Sequence, residues 1–573
     1  AIDYVLEPGA EKVLVRLSLA NTTTDIVDFA NLQRVGFFQS SRSSIFTEAN
    51  GFGPPSGAHP WVAFDSGDSG FLFRSADGKP IQYELEISGF QLFSVQGLSA
   101  EACEKKTVDY LEVATGNGGI DGLLEAKRRA FAEPAWREVR GVLREDGGTG
   151  LGGAFVHATT PAGQYLTRAR TNEEGEFVLH VPPGAVSLTP TLKGWAVPTP
   201  TLVADGANSA DLTLPKHASI EVKATDATTD EALPVRVQVI PDTPLVSAPA
   251  AFGLREEIDG RLWQDFAITG ATTLPVPPGS YQVIVSRGYE YEIVDVPVDV
   301  ETSTPAVVDA KLRRSVDTTG VMCADFHVHS FYSADSSDPV DEKVKGAIAD
   351  GLDIPVSSEH EWIIDFQPII KRLKLEKWAF GMPSEELTTF TWGHFGIIPL
   401  YPREDAPNNG AVDWVGKKPA AFFAQVNELP EKPVLVVNHP SGTGFEAYFS
   451  ASGFDRATGK GNPELFSDTF GAIEVFNDSD FESNRSASIG DWFALLNAGH
   501  SYWATGNSDS HDQRTNPVGY PRNCLYFGHD DPTKLTPEIV RDVLRSGAFT
   551  VSGGLYMTAE GPGGIGPGGT STP

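Results

Sequence analysis

The sequence predicts a multidomain chain in which small all-β sandwiches precede an α/β domain of alternating strands and helices. Three observations carry this. The chain has 573 residues, and at roughly 100–200 residues per domain that is too long for one hydrophobic core. A Val-Pro-Pro-Gly turn stands at 181–184 and again at 276–279; alternating apolar and polar residues follow the second, the mark of a half-buried strand. From 314 onward apolar runs alternate with helical patterns, as in a parallel sheet or barrel.

Composition narrows the function. Hydrophobic residues make up 40% and charged residues 21%, so the chain is globular. Its 58 Gly and 41 Pro suit many turns between short strands. A formal charge of −32 repels nucleic-acid phosphates and anionic membranes. No apolar run is long enough to span a bilayer. Three cysteines cannot build a disulfide framework, and without C-x-x-C they form no thiolate zinc knuckle. Cys323 and Cys524 stand in apolar runs and read as buried thiols. The chain begins at Ala1 with no signal-peptide pattern, as a mature or trimmed form would.

Residues 1–135 are expected to form a β-rich domain ending in a helix at 122–133. Its half-buried strands are predicted at 12–19, with Val13, Val15, Leu17 and Leu19 on one face, and at 81–89. Residues 136–215 show strand-like runs with turn signals at 171–177 and 181–184, a small β-sandwich. Residues 216–313 repeat the theme. The 136–215 segment resembles the carboxypeptidase-regulatory-like β-sandwich, a transthyretin-like module of secreted and cell-surface bacterial proteins. Both sandwiches are expected to be spacers, or to touch polymeric carbohydrate or a partner at the cell surface. Residues 314–560 form the βα series, with strands expected at 322–328, 354–357, 433–437, 472–476 and 503–506, and helices at 341–349, 368–378 and 489–498. Residues 561–573 read as a Gly/Pro-rich tail or linker.

The chemistry-bearing residues cluster at strand ends of this last domain, which holds eight of the 12 histidines. One strand ends in His327-Val328-His329, and alternation puts both imidazoles on one face. Others end in Ser358-Glu359-His360, in Asn438-His439-Pro440 and in Asp509-Ser510-His511. Glu385-Glu386-Leu387-Thr388-Thr389 adds carboxylates, with His394 just beyond. Imidazole with carboxylate and no thiolate suits zinc, manganese or iron. A carboxylate can bridge two such ions, and a metal brings the pKa of bound water to about 7.

This motif series (H-x-H, S-E-H, E-L-T-T-x-x-W-G-H, N-H-P, S-D-S-H) resembles the PHP (polymerase and histidinol phosphatase) superfamily, nearest to its CehA/McbA-type metallohydrolases. The resemblance covers about 250 residues and implies a distorted (βα)7 PHP barrel holding two or three divalent ions (Mn, Zn or Fe). It implies that His327, His329, Glu386 and Asp509 hold one ion. Glu386 would bridge to a second, completed by His394 and His439, and Asp335, His360 and His511 would take a third. Whether Glu385 or Glu386 bridges is open; the family pattern selects Glu386. Glu474 is either a hydrogen-bond partner behind the ligands or an ordinary strand-end charge. His500 and His529 fit no motif.

The expected function is a metal-dependent hydrolase of the phosphoesterase kind acting on a small-molecule phosphoester. Arg522 would receive phosphate oxygens, ahead of Arg485 and Arg514. His511 or His439 would protonate the leaving oxygen. One alternative is a CehA-type carbamate or carboxyl-ester hydrolase, which a mouth lined by Trp362, Trp378, Trp392 and Trp492 would suit. Another is a non-catalytic surface binding protein. The acidic surface and tandem sandwiches point to an extracytoplasmic bacterial location, periplasmic or secreted, with no membrane span.

Overall fold

A computed structural model describes residues 1–28, 34–38, 43–87, 90–95, 98–254, 260–442 and 447–570. The first region is a six-stranded sheet facing a four-stranded one. The Lys12–Ala20 strand lies in the larger sheet and buries Val15 and Leu17, as its alternation predicts. Ile81–Ile87 is a strand of the smaller sheet; the last two positions of the predicted run lie outside the described residues. The helix spans Gly119–Ala130, three residues earlier than predicted. It starts there because Gly118 takes a left-handed conformation (φ 83°) and turns the chain into the helix.

Two sandwiches follow and share one topology. In the first, Glu176–Val181, Arg137–Glu145 and Leu212–Leu214 face the sheet Tyr165–Arg170, Phe155–Thr159, Val186–Thr191 and Thr201–Val203. In the second, Ala271–Val276, Ala218–Asp226 and Ala306–Leu312 face Trp263–Ala267, Val235–Pro241, Gly279–Ser286 and Val294–Val300. The strand order matches position by position, including the parallel pairing of first and last strands. The recurring turn ends the fourth strand of each: Val181 and Val276 are buried last residues, and the chain reverses at the prolines and glycine.

The region after 314 is not the expected distorted (βα)7 barrel. Its strands form two separate five-stranded mixed sheets, and among the described residues no barrel closes. The first sheet runs Met382–Pro383, Ile354–Ser357, Val321–Val328, Arg522–Tyr526, Phe549–Ser552; the second runs Glu385–Thr389, Gly393–Ile398, Val434–Asn438, Ala472–Asn477, Trp503–Asn507. The reason is chain direction. The 385–389 and 393–398 strands are an antiparallel hairpin, and 522–526 pairs antiparallel with both its neighbours. Repeated strand-helix units would make every neighbour parallel. At one end the sheets come together through isolated bridges, Val328 with Ser510 and His360 with Glu386. That end carries the site.

The second sandwich packs on this region through a polar interface. Arg236 pairs with Asp350 at 3.2 Å, and Arg287 donates to the carbonyls of Pro234 and Ile348. Gln264 and Arg261 donate to the carbonyls of Gln513 and Arg514. Cys323 and Cys524 are not free thiols. They face each other on adjacent antiparallel strands and form a disulfide, although 201 residues separate them.

Candidate metal centre

All nine predicted ligands meet where the two sheets join. The Val321–Val328 strand is buried at every position, and its last residues turn His327 inward, with His329 just beyond the strand end. His360 follows the Ile354–Ser357 strand, His439 follows Val434–Asn438, and Asp509 and His511 follow Trp503–Asn507. Glu386 and His394 come from the hairpin absent from the predicted strands.

The distances are those of a shared ligand shell. His327 Nε2 lies 2.9 Å from Glu386 Oε1 and 3.1 Å from Asp509 Oδ1. His329 Nε2 is 3.1 Å from Asp509 Oδ1 and 3.6 Å from Glu386 Oε2. His439 Nε2 and His394 Nδ1 lie 3.2 and 3.6 Å from Glu386 Oε1. Asp335 Oδ2 is 3.1 Å from His360 Nε2 and 3.4 Å from His511 Nε2. Metal bonds of about 2.0–2.2 Å at tetrahedral or octahedral angles separate neighbouring ligand atoms by about 3.0–3.6 Å.

Several of these atoms are buried and make no hydrogen bond despite their closeness: His327 Nε2, His329 Nε2, Asp335 Oδ1, Glu386 Oε2, Asp509 Oδ1 and both nitrogens of His394. A buried polar atom without a partner is costly. A set of them converging on one volume fits divalent cations. Among the described residues, four groups of three have ligand atoms within 4.8 Å of one another: His329, His360 and His511; His327, His439 and Asp509; His327, His329 and Glu386; Glu386, His394 and His439. His329 thus also reaches the group expected for the third ion.

The electrostatics divide the imidazoles: burial lowers His329 and His394, whereas against burial the neighbouring carboxylates raise His327, His360, His439 and His511. Burial alone would raise the carboxyls of Glu386 and Asp509, but the surrounding imidazoles, His327 first, hold both well below the usual range. Burial, then the neighbouring His511 and His360, push His329 well below its ordinary value, so it stands neutral as a ligand must. Behind the ligands, His360 Nδ1 lies 2.6 Å from Thr388 Oγ1, His329 Nδ1 lies 2.9 Å from Ser333 Oγ, and His511 Nδ1 faces the Asp509 carbonyl at 2.8 Å. The buried Lys343 ammonium donates to Ser510 between two ligands and pairs with Asp338 at 2.6 Å.

The geometry selects between the adjacent carboxylates. Glu386 points into the cluster, whereas Glu385 points away and accepts from the Val412 amide. Arg522 is corrected. It is 1% exposed, donates to the carbonyls of Gly519, Gly351 and Asp350, and lies 4.5 Å over the Tyr289 ring. It ties the second sandwich to the metal region and is not a phosphate receptor. Arg514 pairs with Asp512, and the exposed Arg485 lies 4.0 Å from Glu482. The tryptophan mouth is also corrected. Trp378 packs under Arg287 at the sandwich interface, and Trp392 and Trp492 pack against the core with their indoles bonded to backbone carbonyls. Trp362 alone of the four stands beside a ligand loop, parallel to the half-exposed Tyr332 with ring centres 6.2 Å apart.

Sequence reasoning missed the amides Asn438, Asn477 and Asn507, which donate to Glu386, Asp509 and Glu474. All three stand at strand ends, and Asn438 and Asn507 lie within two residues of a ligand, which is the signal that could have found them.

No protein-family model matches the chain, and no curated protein matches it. Among solved structures, the shaft pilin SpaA from Lactobacillus rhamnosus GG aligns at 10% identity over 32% of this chain and 100% of its own, taking its D295N mutant, with a TM-score of 0.21. The streptococcal ancillary pilin aligns at 12% identity over 45% of this chain and 81% of its own, with a TM-score of 0.19. The Bacillus anthracis TIE protein aligns at 9% over 56% and 59%, with a TM-score of 0.14. Likenesses at these scores carry no argument about fold or function. Among the described residues no helix is long and apolar enough to cross a membrane.

Proposed function

We propose that the chain is a metal-dependent hydrolase acting on a phosphoester. The observation that carries the reading is the convergence of buried, unpartnered imidazole and carboxylate atoms from both sheets. The motif series supports a PHP-type assignment by resemblance, independent of any barrel. Bound at this centre, two or three Mn, Zn or Fe ions supply Lewis acidity and a water of lowered pKa. Glu386 would bridge two ions: its Oε1 lies toward His327 and His439 and its Oε2 toward His329 and His360. His511 has both ring nitrogens engaged, by the Asp509 carbonyl and by Asp335. Proton delivery to the leaving oxygen stays with His511 or His439: both are partly open to solvent, and both turn Nε2 to a carboxylate.

A second reading, hydrolysis of a carboxyl ester or carbamate, is favoured by the Tyr332–Trp362 pair, a surface for a flat apolar group. The Cys323–Cys524 disulfide supports an extracytoplasmic location, where the sandwiches are free to contact a surface polymer.

The test compares a phosphomonoester, a phosphodiester, an aryl ester and an aryl carbamate on manganese- and zinc-reconstituted protein, with metal-stripped protein as the blank. Metal-dependent turnover of a phosphoester is the expected result. Turnover confined to the ester or carbamate selects the second reading. Metal uptake without turnover of any of the four refutes both.

A further inference from the structure

Glu474 sits in the Ala472–Asn477 strand of the second sheet and is fully buried. None of the four ligand groups includes it. Its carboxylate nevertheless meets four donors, two on each oxygen. Oε1 lies 3.0 Å from His327 Nδ1, across the junction in the first sheet, and accepts from Asn507 Nδ2 at 2.8 Å. Oε2 accepts from the His439 backbone amide at 2.7 Å and from Asn477 Nδ2 at 3.0 Å. Asn477 Nδ2 also reaches Asp509 Oδ2 at 3.1 Å. One carboxylate thus touches two of the nine ligand residues directly and a third through an amide.

Two of these ligands need holding. His439 has φ 24° and Asp509 has φ 52°, conformations that residues with a Cβ adopt only when their surroundings impose them. The hydrogen bond that the His439 backbone N–H donates to Glu474 fixes the first, and the Asn477 bridge steadies the second. His327 needs a different constraint. An acceptor at Nδ1 puts the ring proton there and leaves the Nε2 lone pair to face Glu386 and Asp509.

We propose that Glu474 is the positioning residue of the metal centre, setting the tautomer of His327 and the backbone of His439 so that ligands from both sheets arrive together. The assignment rests on the metal-centre reading above. It also says what Glu474→Gln does. A glutamine has one oxygen and one NH2, and each oxygen it replaces serves two donors. Whichever way the amide turns, N–H faces N–H, either at His327 and Asn507 or at His439 and Asn477.

The experiment measures zinc affinity of the full chain by competition with a chromophoric chelator. Wild type is compared with Glu474→Gln and with Asp353→Asn, a buried carboxylate that accepts from the Cys323 amide and touches no ligand. Glu474→Gln is expected to bind zinc about 10–100-fold more weakly, with a metal-free melting temperature lowered by the buried N–H that faces N–H. Asp353→Asn is expected to keep wild-type zinc affinity. Wild-type affinity in Glu474→Gln overturns the assignment. If that variant does not fold, nitrogen NMR of the histidine rings in zinc-loaded wild type decides: a proton on His327 Nδ1 supports the role and a proton on Nε2 overturns it. Wild-type protein that takes up no zinc refutes the metal reading itself, a result distinct from a loaded centre indifferent to Glu474.

Discussion

Removing His327 or Asp509 takes away an atom that lies near ligands from both sheets. His327→Ala and Asp509→Ala should each lower metal-dependent turnover at least about 100-fold. Circular dichroism of the metal-free variants should stay that of wild type. Arg522 makes the opposite prediction. Arg522→Ala strands three carbonyl acceptors and empties the space under Tyr289, so it should cost about 2–4 kcal/mol in denaturant unfolding and leave KM for a phosphoester unchanged. The contrast shows what was legible at this scale. Ligands announce themselves because imidazoles recur at the ends of apolar strands. Arg522 stands next to such a strand in sequence, but sequence adjacency does not say which way a side chain points. Between Glu385 and Glu386 only the family pattern selects Glu386, since neighbours in a strand face opposite sides and only the packing tells which side holds the metal.

Single elements are legible even where their patterns are short, and the longer helix predicted at 368–378 ends early, at Leu373, where Lys374 turns left-handed (φ 59°). The strands at 354–357 and 472–477 and the helix Val340–Ala349 fall within a residue of expectation. The hairpin Glu385–Thr389 and Gly393–Ile398 escaped because its polar, glycine-interrupted sequence lacks an apolar run, yet it supplies two ligands. With it went the direction of the chain, and so the barrel. The first helix offers an element-scale test. A Cβ at Gly122 would stand 1.8 Å from the Asn117 carbonyl oxygen, so the helix cannot start where it does with any larger residue. Gly122→Ala should destabilise the chain by about 1–3 kcal/mol through loss of that first turn. The effect should extend to the first sandwich, because Asp121 in the same turn accepts from Thr167 and from the His180 amide. Hydrogen exchange at Tyr165–Arg170 and Glu176–Val181 checks it.

For the whole molecule, the interface between the second sandwich and the metal region should be pH-sensitive. Burial, then the nearby Glu290, raise the Asp353 carboxyl to about 7. The folded chain therefore holds a proton there that the unfolded chain gives up near pH 4. Stability from this group is full below pH 4 and is lost as pH rises through 7. Melting curves should show Asp353→Asn gaining on wild type between pH 5 and pH 8; a constant difference would contradict the shift. Metal should matter at this scale too. Chelation is expected to lower the melting temperature of loaded wild type and to leave His327→Ala less affected. The two sheets themselves meet at the site through single bridges rather than a continuous ladder. A few backbone hydrogen bonds and an apolar core shared by both sheets hold that seam, and the side-chain ligands close its open end. The centre thereby works as a clasp, and the chain's slowest opening motion should lie along it. Stripping the ions should let the two halves of the domain breathe apart, exposing the His-x-His strand end to protease before any sandwich unravels.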